Sequence, residues 1–399
     1  MTRNTSGRTL AAGLAAAAAA VSFAGPVFAC GGFFSESSAV EQVVDSTDQR
    51  VLFAVANGHV RQYVQVQYSG DAAEFAWVYP VAGNPTVSEG AADIFDTADE
   101  LTRPRVTIYT FSEEGGGDDG GGCGCFGMAG GSDGLRGGDG HLQDDVQVWS
   151  SGQVGAFDYV VLSAETVDPL VEWLTQNGFR IPTEAEPLMA HYVAGDWFFV
   201  AMRVSADAAA TDGAATTTVV FEYDSANPVF PLHMASLSSA DAASILIYVL
   251  AEQAYVTAGV PSRRIDTASL AATSASTSNY DDLFQAAIGT AGARRFALES
   301  LVQGDSLGST AMPGGWSAGG TLLLSRIRTE MDVTDMTTDV TLVPSTEDVS
   351  PREPYYEVTW SGAMARAPAR GGLLSVACTG IVVLFSFRRL RRPVRRRVG

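Results

Sequence analysis

The side chains of this sequence that could react are few. Cysteines stand at positions 30, 123, 125 and 378. Cys378 lies in an apolar stretch, which leaves Cys30, Cys123 and Cys125 to act outside a membrane. An oxidising compartment favours disulfides between such thiols. Cys123-Gly124-Cys125 closes only as a strained small ring, so a link from Cys30 to one of the two is sterically easier. One thiol is then left over, either free or paired between molecules. A lipid on Cys30 is the alternative; it restores even parity but forces the strained ring. The pair plus His141 also offers three zinc ligands, at an unusual spacing.

The other candidate motifs lose their partners on inspection. Gly137-Gly138-Asp139-Gly140 begins like a calcium-binding G-G-x-G-x-D repeat, but Leu142 occupies the aspartate position and the unit does not recur. No EF-hand spacing is present. Gly315-Trp316-Ser317-Ala318-Gly319 matches G-x-S-x-G, yet that motif needs a strand before the serine and a histidine after it. Residues 304–314 read as a loop, and the last histidine is His233. His59, His141, His191 and His233 are scattered without metal-site spacing and read as structural or surface residues. Carboxylates are too numerous for a glycosidase-like pair to be picked out. With no lysine in the chain, a P-loop is excluded. No cofactor is expected, calcium at 113–145 being the alternative.

Charge is segregated along the chain. All 25 basic residues are arginines; two precede the first apolar run and seven follow the last. Sixteen arginines therefore face all 45 acidic residues between positions 30 and 387, a formal charge of −29. Such a surface repels phosphate backbones, so nucleic acid is not an expected partner.

The ends carry the topology. Residues 1–29 read as a secretory signal: Arg3 and Arg8, an apolar run from Leu10 to Ala24, and Val27-Phe28-Ala29 before a cut between Ala29 and Cys30. Phe28 is bulky for a lipidation site. Gly371–Phe387 is 17 residues without a charge, about 26 Å as a helix against a hydrocarbon core of ~30 Å. The arginine cluster at 388–399 can snorkel and marks the cytoplasmic side. Gly371-Gly372, the apolar span and the arginines also resemble bacterial GlyGly or Myxococcus-type sorting tails. Residues 30–360 then form an exported domain, with 361–370 as its linker to a single-pass span at 371–387.

Within that domain the clearest signal is Arg50–Ala56 and His59–Tyr68 flanking Asn57-Gly58, a hairpin with a type I′ turn. Val64, Val66 and Tyr68 share a face, Gln65 and Gln67 the other. Phe75, Trp77 and Tyr79 predict a third strand that stops at Pro80 and completes an antiparallel meander. Ser88 is read as the cap of a helix over 89–102, Pro104 ends it, and Arg105–Phe111 returns as a strand. Residues 112–145 are Gly- and Asp-rich and too poor in apolar side chains to order themselves.

Further strands are expected at Val146–Trp149, Ala156–Ser163, Asp196–Ser205, Thr216–Tyr223 and Ser244–Ala251. Helices are expected at Asp168–Gln176, closed by Asn177-Gly178, at Glu184–Val193 and near Tyr280–Ile288. Segments 296–303 and 321–330 are mixed, Ala206–Ala215 reads as a surface insertion, and Pro344–Pro354 winds down into the linker. No βαβ rhythm appears, so the expected class is α+β: a predominantly antiparallel sheet with short helices on it, plus the C-terminal transmembrane helix.

Five motifs stand in a recognisable order: Cys30-Gly31-Gly32-Phe33-Phe34, Phe75-Ala76-Trp77-Val78-Tyr79-Pro80, Leu170-Val171-Glu172-Trp173-Leu174, Trp197-Phe198-Phe199-Val200-Ala201 and Leu324-Ser325-Arg326-Ile327-Arg328. Over about residues 29–345 the chain resembles a bacterial exported family catalogued as domain of unknown function 2330. The resemblance implies an extracytoplasmic domain and no established activity. Many members carry a second cysteine after the Phe-Phe pair where this chain has Ser35, so a disulfide between those positions is absent here.

These features suit a non-enzymatic, membrane-anchored envelope domain with an envelope protein or a glycan as partner. Two alternatives stand beside it. An extracellular hydrolase with a carboxylate pair requires a cleft holding two acids with raised pKa; calcium-dependent surface adhesion would use the 113–145 loop.

Overall fold

Val51–Val55 and Ile245–Ala251 are apolar at both phases of a period-two pattern, so both faces of those strands must be covered. The computed structural model describes residues 32–34, 48–68, 76–110, 145–179, 181–209, 215–238, 242–260, 262–290, 295–312, 320–347, 350–352 and 354–361. It covers those strands with a second sheet on one face and helices on the other.

The larger sheet runs in the order β14 (Ser262–Arg264), β15 (Phe296–Gln303), β16 (Leu323–Asp332), β12 (Ala242–Ala251), β2 (Asp48–Ala56), β3 (His59–Tyr68), β10 (Ala215–Asp224) and β5 (Thr86–Glu89). The smaller runs β1 (Gly32–Phe34), β4 (Ala76–Val81), β9 (Phe198–Val204), β8 (Phe157–Ala164) and β7 (Val146–Val154). Two ribbons complete the β structure: β11 (Val229–Phe230), β17 (Val340–Pro344) and β13 (Tyr255–Ala258) in one, and β18 (Tyr355–Trp360) beside β6 (Arg105–Thr110) in the other. The protein is mostly antiparallel β-sheet, with parallel pairs at β2–β12, β14–β15 and β6–β18.

Val51, Phe53, Val249 and Phe221 from the larger sheet interlock with Trp77, Tyr79, Val200 and Met202 from the smaller. At about 1.5–3 kcal/mol per fully buried large apolar side chain, this layer dominates the stability. One polar group crosses it. Gln62 donates to the Tyr79 hydroxyl and accepts from Tyr223 at 3.0 Å, tying β3 and β10 to β4.

The outer face of the smaller sheet is covered by α2 (Val167–Gln176) and α3 (Ala185–Val193), through Leu170, Leu174, Met189 and Tyr192. The outer face of the larger is covered by α1 (Ile94–Thr102), α6 (Tyr280–Ile288) and α7 (Asp305–Ala311). Two single turns, α4 (Ala206–Ala209) and α5 (Leu232–Ala235), lie in connections.

Asn57 and Gly58 take φ of 53° and 81°, the turn that the hairpin reading requires. The meander does not extend further, however. β3 pairs with β10, while β4 crosses to the other sheet between β1 and β9. β4 also runs through Pro80 to Val81, past the point where β1 stops pairing at Val78.

Ser88 does not cap a helix. Ser88 and Glu89 are held in β5 by pairing with Val220 and Val219, so α1 starts later, at Ile94. Residues 305–311 form α7 rather than a loop, because Leu307 and Ala311 are buried and Asp305 accepts from the Leu322 N–H at 2.8 Å. The segment before the linker holds β18.

No helix among the described residues is long and apolar enough to cross a membrane. The signal at 1–29, the loop at 112–144 and the span at 371–387 lie outside them.

Candidate functional site

Charged residues interrupt two apolar strands on the helix-covered face of the larger sheet. In β15 the register against β16 shifts between Leu298 and Ser300, leaving Glu299 as the extra residue; a bulge of this kind re-aims a side chain. In β16, Arg326 stands opposite Tyr248 of β12.

The Arg326 guanidinium binds Glu299 through Nε and Asp99 of α1 through Nη1, both at 2.6 Å, and Nη1 also donates to the Tyr248 hydroxyl at 3.0 Å. Tyr280 donates to Glu299 at 3.2 Å, Arg328 lies 3.7 Å from the same carboxylate, and Arg103 pairs with Asp99. The side chains of Arg326, Asp99 and Glu299 are 8%, 13% and 1% exposed.

Burial by itself would raise the Asp99 carboxyl, but bonds and charge from Arg326 and Arg103 outweigh it and hold it below the usual range. Burial would likewise lower Arg326, and its partners Tyr248, Glu299 and Asp99 raise it instead. This is a clamp in which guanidinium contacts hold Asp99 as a carboxylate and bind Glu299. A carboxylic acid poised to donate a proton needs the opposite environment.

Beside the clamp is a recess of about 50 Å³, walled by Arg264, Thr267, Leu298–Leu301, Arg352 and Tyr356. A second polar cluster lies on the helix-covered side of the smaller sheet. Asp339 accepts from the Tyr192 hydroxyl at 2.8 Å and the His233 backbone N–H at 3.0 Å, and its other oxygen is 3.9 Å from His191 Nε2. The His191 and His233 rings are 5.8 Å apart. Burial raises the Asp339 carboxyl, and the His233 and Tyr192 bonds only partly offset it.

His191 and His233, distant in sequence, are brought together by α3 and α5. His59 is exposed and pairs across the β3–β10 ladder with Asp224. Among the described residues no group of three or more His, Cys, Asp or Glu is placed to hold a metal ion.

Ala29, Cys30, Cys123, Cys125, His141 and Ser317 lie outside the described residues. From the first motif, Gly32–Phe34 form the edge strand β1. Sequence reasoning missed the clamp, although a signal was present: Glu299 is the lone charge in the apolar run Phe296–Val302. A buried acid there needs a guanidinium nearby.

The profile of a family described as uncharacterized protein conserved in bacteria, domain of unknown function 2330, matches residues 25–342. No curated protein and no solved structure matches the chain.

Proposed function

The chain belongs to that bacterial family, and on that premise we propose that it is an exported envelope protein whose domain binds a ligand outside the cell rather than transforming one. In this reading residues 1–29 are removed, 371–387 cross the membrane once, and the domain 30–360 faces outward. The observation favouring binding over turnover is the clamp. Asp99 and Glu299, a buried pair of carboxylates, are spent on Arg326, whereas a carboxylate-pair hydrolase needs one acid held protonated. Among the described residues Asp339 is the carboxylate with a raised pKa, and burial, not a second acid, is the main cause.

An envelope protein or glycan partner fits the exposed aromatics. Tyr109 and Tyr355 are about half exposed and stand on the β6–β18 ribbon. Tyr109 donates to Glu357, and Arg105 lies over the Tyr355 ring. Trp149 is exposed on β7, elsewhere in the fold.

Intact mass of the protein extracted from native membranes, with and without reductant, tests the placement. A chain beginning at Cys30 in the membrane fraction is expected, with a two-hydrogen shift on reduction if a disulfide is present. Diacylglyceryl on Cys30, or an end near Gly372, would move it among envelope-sorted proteins. A soluble chain that keeps residues 1–29 would overturn the reading.

A further inference from the structure

We propose that the recess beside the clamp is an oxyanion site, in which Arg264, Arg352 and the Tyr356 hydroxyl together hold one carboxylate or phosphoryl group. This deepens the binding reading above and rests on it. The site arises from a break along one edge of β15. β14 covers that edge only as far as Leu298, which pairs with Arg264. Arg352 takes over the same edge at Leu301, with a bridge and a backbone bond of 2.8 Å. Between them the bulged Glu299 and Ser300 have no strand partner on that side among the described residues. Three residues span roughly 10 Å of strand, so two arginines stand at either side of a gap that their side chains can close upon.

Among the described residues the donors that line this gap are unspent. Neither Arg264 nor Arg352 makes an ion pair or a side-chain hydrogen bond to another described residue, and the half-buried Tyr356 hydroxyl likewise has no partner among them. Thr267 and Ser350 add hydroxyls at the rim. In a region with 45 acidic residues and 16 arginines, two arginines that line one recess with no carboxylate bonded to either among the described residues form an arrangement that calls for an acceptor. Burial, and after it the charge of Arg352, lowers the Arg264 guanidinium, against smaller opposing effects of Glu347 and Tyr356. A bound anion would offset that charge.

The acid in the wall, Glu299, does not fill this role. Its oxygens are occupied by Arg326, Tyr280 and Arg328. Arginine's planar donors suit carboxylate and phosphate alike.

The test is calorimetric titration of the purified full chain with inorganic phosphate and, separately, acetate, each against sodium chloride at equal ionic strength. Saturable binding of at least one is expected, and the one that binds identifies the headgroup. Arg264→Gln and Arg352→Gln should each weaken it about tenfold or more, the loss typical of a hydrogen bond to a charged group. Tyr356→Phe should weaken it less, and Arg203→Gln on β9 should leave it unchanged. No saturable binding of either anion, or an equal loss in Arg203→Gln, overturns the proposal. Neither result bears on whether the chain is exported, which the mass measurement decides.

Discussion

Replacing Arg326 by methionine is the sharpest test of the clamp. The side chain is 8% exposed and bridges Asp99 and Glu299 at 2.6 Å each. Methionine keeps most of the volume but leaves two carboxylates facing each other with reduced compensation from Arg103 and Arg328. Removing one partner of a buried ion pair costs about 3–5 kcal/mol. For a domain of this size, at roughly 2.1 cal/mol/K of unfolding entropy per residue, that is a fall in Tm on the order of 4–7 °C.

The loss should depend on pH. In the wild type Asp99 has a lowered pKa, so its contribution is present above the unfolded value of 3.8 and is lost as pH falls through the lowered value. In the variant the carboxylates are destabilised while ionised, and acid relieves them. The gap between the two proteins should therefore be widest near pH 7 and close toward pH 4. Adding Asp99→Asn and Glu299→Gln to Arg326→Met should recover most of the loss at pH 7. Differential scanning calorimetry across this range reads all three effects. A loss below about 1 kcal/mol, the range of an exposed ion pair, or one that is constant with pH, would refute the electrostatic account.

Three further outcomes follow from the packing. Asp339 has a raised pKa, so its stability contribution is full below 3.8 and is lost as pH rises through the raised value; Asp339→Asn, which can still accept from Tyr192 and His233, should gain on the wild type between pH 4 and 7, and parallel melting curves would refute this. Gln62→Leu removes the Gln62 hydrogen bonds of two buried tyrosine hydroxyls and should cost about 1–3 kcal/mol by urea unfolding, with Tyr79→Phe and Tyr223→Phe in the same chain recovering part of it. Gly155→Ala should cost about 1–3 kcal/mol, because Gly155 has φ of 51° and an added Cβ would fall 2.5 Å from the Thr217 side chain; an unchanged melting temperature would show that β10 yields.

Local chemistry alone determined much of this protein. Asn57-Gly58 specified its hairpin because only that turn supplies the positive φ. Helix α6 was legible over Tyr280–Ile288, and α2 ended at Asn177-Gly178 with Gly178 at φ 88°. The period-two runs announced most long strands, and the five motifs pointed to the family.

Partners distant in the chain were decided only by tertiary structure. The same apolar alternation would let β4 follow β3 in one sheet or cross to the next, and burial of Trp77 and Tyr79 against Phe221 selects the crossing. Pairing with β10 turned Ser88 from a cap into a strand residue. The clamp draws Asp99, Glu299 and Arg326 from three elements, and the recess joins Arg264 to Arg352 across one strand edge. No spacing rule encodes such clusters, because a charge is tolerated inside a core only where the fold brings its counter-charge to it.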